Sequence, residues 1–122
     1  MVRTLLSTPA VLLRLEGLAV FVLATSLYAG TGGNWIVFLL LFLAPDLSML
    51  GYLAGPRVGA AVYNLVHTYT TPAAIAAYAW IARDHLALPP ALMLFAHIGI
   101  DRLLGFGLKY PTGFKDTHLQ RL

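Results

Sequence analysis

Long apolar runs, broken by short polar or glycine-rich turns, take up most of the chain. A helix that crosses a bilayer needs about 20 mainly apolar residues. Four stretches meet that requirement: residues 9–29, 34–54, 56–82 and 86–108. None shows the period-two alternation of a strand, and four strands cannot close a barrel. Gly30, Gly32 and Gly33 make the first turn, Gly55-Pro56 the second, and Arg83-Asp84-His85 the third. Pro9, Pro56 and the pair Pro89-Pro90 stand at or near helix starts, where a missing N–H costs little. Connections this short make sequential helices antiparallel neighbours. The pattern predicts an all-α fold, an integral membrane four-helix bundle forming a single transmembrane domain over residues 1–122, with a tail at 109–122.

Composition narrows the class further. Hydrophobic residues make up 59% of the 122 positions and charged residues only 11%, with a mean hydropathy of +0.78. Soluble domains are about 25% charged, and a small soluble chain has a large surface to cover. A disordered chain, a free soluble domain and a nucleic-acid binder are thereby excluded, despite a pI near 9.5. The absence of cysteine removes disulfides, iron–sulfur clusters, thiol catalysis and thiolate metal sites. Arg14 and Glu16 interrupt the first apolar run, and no good small-x-small site follows it, which argues against a cleaved signal peptide.

With four spans both termini share one side. That side carries Arg3, Arg14, Arg57, Arg102, Lys109, Lys115 and Arg121, against Arg83 alone on the other. The positive-inside rule then puts both termini in the cytoplasm. Tyr28, Trp35, Tyr78 and Trp80 fall near the outer ends, and Tyr52 and Tyr110 mark the inner interface. Membrane lipids are the expected surroundings. A homo-oligomer is a further option, and transport would require one.

Each ionisable residue within the spans needs a reason, because a charge in hydrocarbon costs roughly 2.5–3.5 kcal/mol on insertion scales. At about 1.5 Å per residue from the cytoplasmic ends, Glu16 lies about 10 Å deep, Asp101 about 12 Å and Asp46 about 13 Å. His67 comes at about 16 Å and His97 at about 18 Å. Four helices thus place acids and imidazoles in one layer. His97 and Asp101 share a face at i and i+4. Asn64, His67, Thr68 and Thr71 form a polar stripe, with Tyr63 one turn below His67. Pro45 should kink the second span beside Asp46 and leave a carbonyl without its partner. Gly51 and Gly55 allow a close helix approach.

Three chemistries suit such a layer. In the first, Arg14 and Arg102 pair with Glu16, Asp46 and Asp101, the histidines satisfy hydroxyls and carbonyls, and the layer only fixes helix register. This accounts poorly for two histidines at one depth, because histidine is not needed to balance two arginines. In the second, His67 and His97 bind zinc, or non-haem iron or manganese. Asp46 and Asp101 then ligate or orient them, and Glu16 or Asp46 serves as acid/base. Arg14, Arg102, Asn64 and Tyr63 would support the ligands. A metal with an open position activates water or oxygen, here for a membrane-soluble substrate. In the third, His67 and His97 are axial ligands of a haem, with Ala96 and Gly99 giving it room, although the carboxylates speak against an apolar haem slot. Proton or ion movement along a His/Asp chain is a further option, and the spacing leaves open whether the chain is an enzyme. The tail reads as a surface segment whose Lys109, Lys115 and Arg121 meet anionic headgroups. Alternatively, Asp116 and His118 fold back to cap the layer.

A family resemblance runs along nearly the whole chain. It is carried by Leu13-Arg14-Leu15-Glu16-Gly17, by Ala44-Pro45-Asp46-Leu47-Ser48-Met49 with Gly51-Tyr52 and Gly55-Pro56-Arg57, and by Tyr63-Asn64 with His67-Thr68-Tyr69. It continues in Ala96-His97-Ile98-Gly99, Asp101-Arg102, Gly105-Phe106-Gly107-Leu108-Lys109-Tyr110 and Gly113-Phe114-Lys115-Asp116-Thr117-His118-Leu119. Together these segments resemble the small bacterial membrane proteins grouped as domain of unknown function 4260. The resemblance implies a bacterial source and hence the cytoplasmic (inner) membrane. It implies no activity.

Overall fold

The computed structural model describes residues 8–109 and 117–119. Five α-helices are found among them: α1 Thr8–Gly30, α2 Trp35–Leu43, α3 Pro56–His67, α4 Thr70–Ala82 and α5 Leu88–Leu104. Between α2 and α3 the chain continues as a 3₁₀ segment, Ala44–Ala54. The only strand-like pairing among the described residues is an isolated antiparallel bridge between Lys109 and Thr117. The all-α class follows directly.

The central element is α5. It packs most extensively against α1, and also against α4 and α2, while α3 lies along the 3₁₀ segment. Its middle, from Ala91 to Gly99, is almost wholly buried, together with Arg102. The approach of α1 to α5 depends on two glycines. A Cβ on Gly17 would stand 2.6 Å from the Gly99 carbonyl oxygen, and one on Gly99 would stand 2.6 Å from the Gly17 carbonyl oxygen. Backbone contact this close leaves no room for any side chain at either position. At the far end, Tyr28, Leu92 and Met93 form a small core with Phe38 packed on it. The Tyr28 hydroxyl donates to the Asn34 carbonyl at 2.7 Å. Asn34 caps α2, its Oδ1 accepting from the Ile36 and Val37 amides.

Two of the expected stretches differ from simple spans. Residues 34–54 begin as α-helix and tighten to 3₁₀ at Ala44, immediately before Pro45. Runs of 3₁₀ longer than three or four residues are uncommon and often mark functional segments. Residues 56–82, expected as one helix, are two. The chain breaks at Thr68, which is extended at φ −96° and ψ 141°. The cause is Pro72. It has no N–H for the Thr68 carbonyl, and its ring would collide with that carbonyl in a continuous helix. The break frees the last carbonyls of α3, and side chains take them up. The Thr71 hydroxyl donates to the Leu65 carbonyl, and the Arg102 guanidinium donates to the His67 carbonyl at 3.2 Å.

Candidate metal centre

Three elements, the 3₁₀ segment, the end of α3 and the continuous helix α5, bring Asp46, His67, His97 and Asp101 together. His67 is the last residue of α3, at the break. His97 and Asp101 lie one turn apart on α5. Asp46 is in the first turn of the 3₁₀ segment. One ligand atom from each of the four can be chosen so that all lie within 4.8 Å of one another.

Backbone carbonyls fix how the two imidazoles face. His67 Nδ1 lies 2.9 Å from the Tyr63 carbonyl, and its ring stacks on the Tyr63 ring at 3.7 Å and 4°. His97 Nδ1 lies 2.5 Å from the Phe42 carbonyl. A carbonyl can only accept, so each Nδ1 carries the proton and each Nε2 presents a lone pair. The Phe42 carbonyl is available because Pro45, three residues on, has no amide hydrogen for a 3₁₀ bond. The Leu41 carbonyl, which would pair with residue 45 in an α-helix, accepts from Ala44 instead.

The two Nε2 atoms are 3.2 Å apart. His97 Nε2 is 3.2 Å from Asp46 Oδ1 and 3.2 Å from Asp101 Oδ2. His67 Nε2 is 3.7 Å from Asp46 Oδ1 and 3.6 Å from Asp101 Oδ2. In the neutral tautomers set by the carbonyls both Nε2 atoms are acceptors, as the two carboxylate oxygens are. Such a set repels itself unless a cation occupies its centre. The surroundings are graded. Both imidazole side chains are 3% exposed, Asp101 is 17% and Asp46 is 46% exposed. The carboxylate side faces a cavity of about 350 Å³ lined by Asp46, Met49, Tyr63, Asp101, Phe106 and Lys109.

Of the residues singled out in the sequence, Glu16 is not brought to this cluster. It is exposed on α1, next to the inward-facing Gly17. Arg14 is half-buried and donates through Nε to the Leu103 carbonyl at 2.8 Å. Arg102 is buried, lies 5.3 Å over the Tyr69 ring and holds the His67 carbonyl. Among the described residues no carboxylate forms an ion pair with it, unlike the expected ion-paired arrangement. Asn64 does not approach the centre. It accepts from the Lys109 amide at 2.6 Å and donates to the Lys109 carbonyl at 2.7 Å. Tyr63 supplies both the carbonyl and the ring that hold His67. The space at Gly99, expected as room for a haem, is filled by the α1 backbone.

Lys109 is a correction to the surface-tail reading. It is 5% exposed, and its ammonium lies 4.6 Å from the Tyr63 ring centroid. Burial lowers its pKa, and Asp101 partly offsets the effect. The chain then returns, as the alternative expectation had it for His118. Leu119 is fully buried, and the His118 amide donates to the Leu108 carbonyl at 2.9 Å. His118 Nδ1 accepts from the Leu108 amide at 2.8 Å, and its Nε2 lies 3.2 Å from Arg102 Nη1. Gly107 makes space for that ring, since a Cβ there would stand 2.6 Å from Nδ1. Burial and the Arg102 charge both lower the His118 pKa. Asp116, Lys115 and Arg121 lie outside the described residues. Nothing in the spacing of Asn64, Lys109 and His118 signals their meeting, which depends on how the tail turns back.

A family model described as "Domain of unknown function (DUF4260)" matches residues 10–122. No curated protein and no solved structure matches the chain.

Proposed function

The chain belongs to the DUF4260 family, and from the geometry above we propose that it is an integral membrane protein whose His67, His97, Asp46 and Asp101 hold one divalent metal ion. The observation that carries this reading is the convergence of four potential ligand atoms, one each from Asp46, His67, His97 and Asp101, within 4.8 Å of one another. Ligands about 2.1 Å from a tetrahedral centre stand about 3.4 Å from one another. The two Nε2 atoms and their carboxylate neighbours are separated by 3.2 to 3.7 Å. Zinc suits two imidazoles and two carboxylates, and iron(II) and manganese accept the same donor types. The carbonyl bonds to both Nδ1 atoms fix the rings and raise the basicity of their Nε2 atoms.

A metal held here would supply Lewis acidity, and would activate a water or oxygen ligand where the exposed Asp46 yields its position or the coordination expands to five. The protein's part is to keep the imidazole side dry and leave the carboxylate side open to the cavity. Substrate entering that cavity would meet Asp46, the most exposed ligand, which can also hold a proton. Haem is disfavoured by the same distances. Axial imidazoles stand on opposite faces of a macrocycle, about 4 Å apart at about 2.0 Å per iron–nitrogen bond. Here both Nε2 atoms face one point, and Asp46 and Asp101 stand beside it. A purely structural layer is disfavoured because Arg102 turns to a carbonyl and an aromatic ring.

The membrane assignment draws on the surface. Thr8–Gly30 and Trp35–Ala54 are long and apolar enough to cross a bilayer, with hydropathies of 1.9 and 2.1. Helix α2 buries none of its nine residues, and leucines along α1 and the 3₁₀ segment are exposed. A lipid environment gives those side chains an apolar partner. We place the protein in the bacterial cytoplasmic membrane with both termini inside, on the distribution of Lys and Arg.

Elemental analysis of protein purified in detergent tests the metal. One zinc, iron or manganese ion per chain is expected, lost in His67→Ala and His97→Ala and kept in Glu16→Ala. Metal-free protein from supplemented cultures that also fails to take up added cobalt(II) would overturn the reading. It would leave a proton on one imidazole as the cation of the cluster.

A further inference from the structure

We propose that the cavity beside the centre binds a small anion, a carboxylate or phosphate group on an apolar body, held between the metal and Lys109. This rests on the metal reading and assigns its ligand class. The side chains lining the cavity carry two carboxylates, Asp46 and Asp101, and one ammonium, Lys109. A divalent ion offsets both carboxylates, so among the described residues the lining changes from net negative to net positive when metal is bound. An anion is then the complementary ligand.

The ammonium is placed, not free to sweep the surface. Asn64 binds both the amide and the carbonyl of Lys109, the bridge to Thr117 holds the other side, and the charge rests on the Tyr63 ring. That same ring supports His67, so Lys109 and a metal ligand are positioned by one side chain. The carboxylate ligands, rather than the imidazoles, line the cavity, so an added ligand reaches the metal from the side where Lys109 stands. Met49 and Phe106 make the remaining wall apolar. A volume of about 350 Å³ lies at the lower end of small-molecule pockets. It suits a headgroup and a short chain rather than a whole lipid.

Cobalt(II)-loaded protein in a non-ionic detergent provides the test, because its visible bands report on ligands at the metal. Acetate, inorganic phosphate, octanoate, octyl phosphate and neutral octanol are titrated separately. The anions should shift the bands and octanol should not. Lys109→Met should weaken anion binding about ten-fold or more, and Lys109→Arg should restore much of it. Tighter binding of octanoate and octyl phosphate than of acetate and phosphate assigns the anion to membrane amphiphiles. Equal binding assigns it to free anions. Bands that no anion moves, octanol binding as tightly as octanoate, or a Lys109→Met protein that binds as wild type does would each overturn the proposal. Absence of cobalt bands altogether would instead overturn the metal reading beneath it.

Discussion

Pro45 has no amide hydrogen to give the Phe42 carbonyl, and His97 Nδ1 takes that acceptor instead. Its tautomer, and so the direction of its Nε2 lone pair, is therefore tied to a residue that is not one of the four ligands. Pro45→Ala supplies the missing donor and makes it compete. We expect metal affinity to fall roughly 10–100-fold, the usual cost of losing an outer partner of a ligating histidine. Competition against a chelator would measure this, and unchanged affinity would show that the Phe42 carbonyl does not hold the ring. At this scale much of the site was legible in the sequence. Asp46, His67, His97 and Asp101 are marked by their common depth, because the rise per residue is fixed, and His97 and Asp101 also by their shared face. Glu16 shared that depth but points elsewhere. Depth is a translation along the helix axis, whereas facing is a rotation set by the partner helix. Gly17, one residue on, is what α1 turns toward α5.

Among the elements, the interrupted ones build the centre. The 3₁₀ segment carries Asp46, and the break after His67 ends α3 where its last side chain can meet α5. The apolar run over residues 56–82 reads as continuous because hydrophobicity is blind to Pro72, whose effect lies in the backbone. The tail return is a third interruption, and it depends on a neutral His118. Protonation would turn Nδ1 into a donor facing the Leu108 amide and put a second positive charge beside Arg102. The folded pKa is lowered below the unfolded value of about 6.5. The docked tail therefore has its full stability above pH about 6.5 and loses it as pH falls from there toward the lower folded value. A cysteine at Leu119 checks this. Its labelling rate, taken relative to the denatured protein, should rise between pH 7.5 and pH 5.5, and His118→Gln should remove that rise. A flat profile in the protein that keeps His118 would show that His118 does not govern docking.

For the whole molecule, one feature recurs: polar groups gather on the inner surfaces around α5, and large apolar side chains face outward. Hydropathy already implies this, because a chain with so few charged side chains has mainly apolar ones to turn outward. Hydropathy does not give the order of packing, in which the first helix pairs mainly with the last. The signal for that is a pair of glycines, Gly17 and Gly99, far apart in the chain. The proposed orientation has its own check. Cysteines placed at Gly32 and Asp84 should react with an impermeant reagent applied to intact cells, and one at Gln120 should react only after permeabilisation. Labelling of the Gln120 position from outside would reverse the orientation.

X-ray absorption at the metal edge of the purified protein is the most direct measurement, since it sees the donor atoms themselves. Two imidazoles at about 2.0–2.1 Å with oxygen donors at about 2.0–2.2 Å are expected for zinc, and the imidazole scattering should fall by half in His67→Asp or His97→Asp, which replace one imidazole by another ligand instead of removing it as the alanine variants do. A bound metal with no imidazole scattering, or a spectrum that neither histidine substitution alters, would contradict a centre built by His67 and His97.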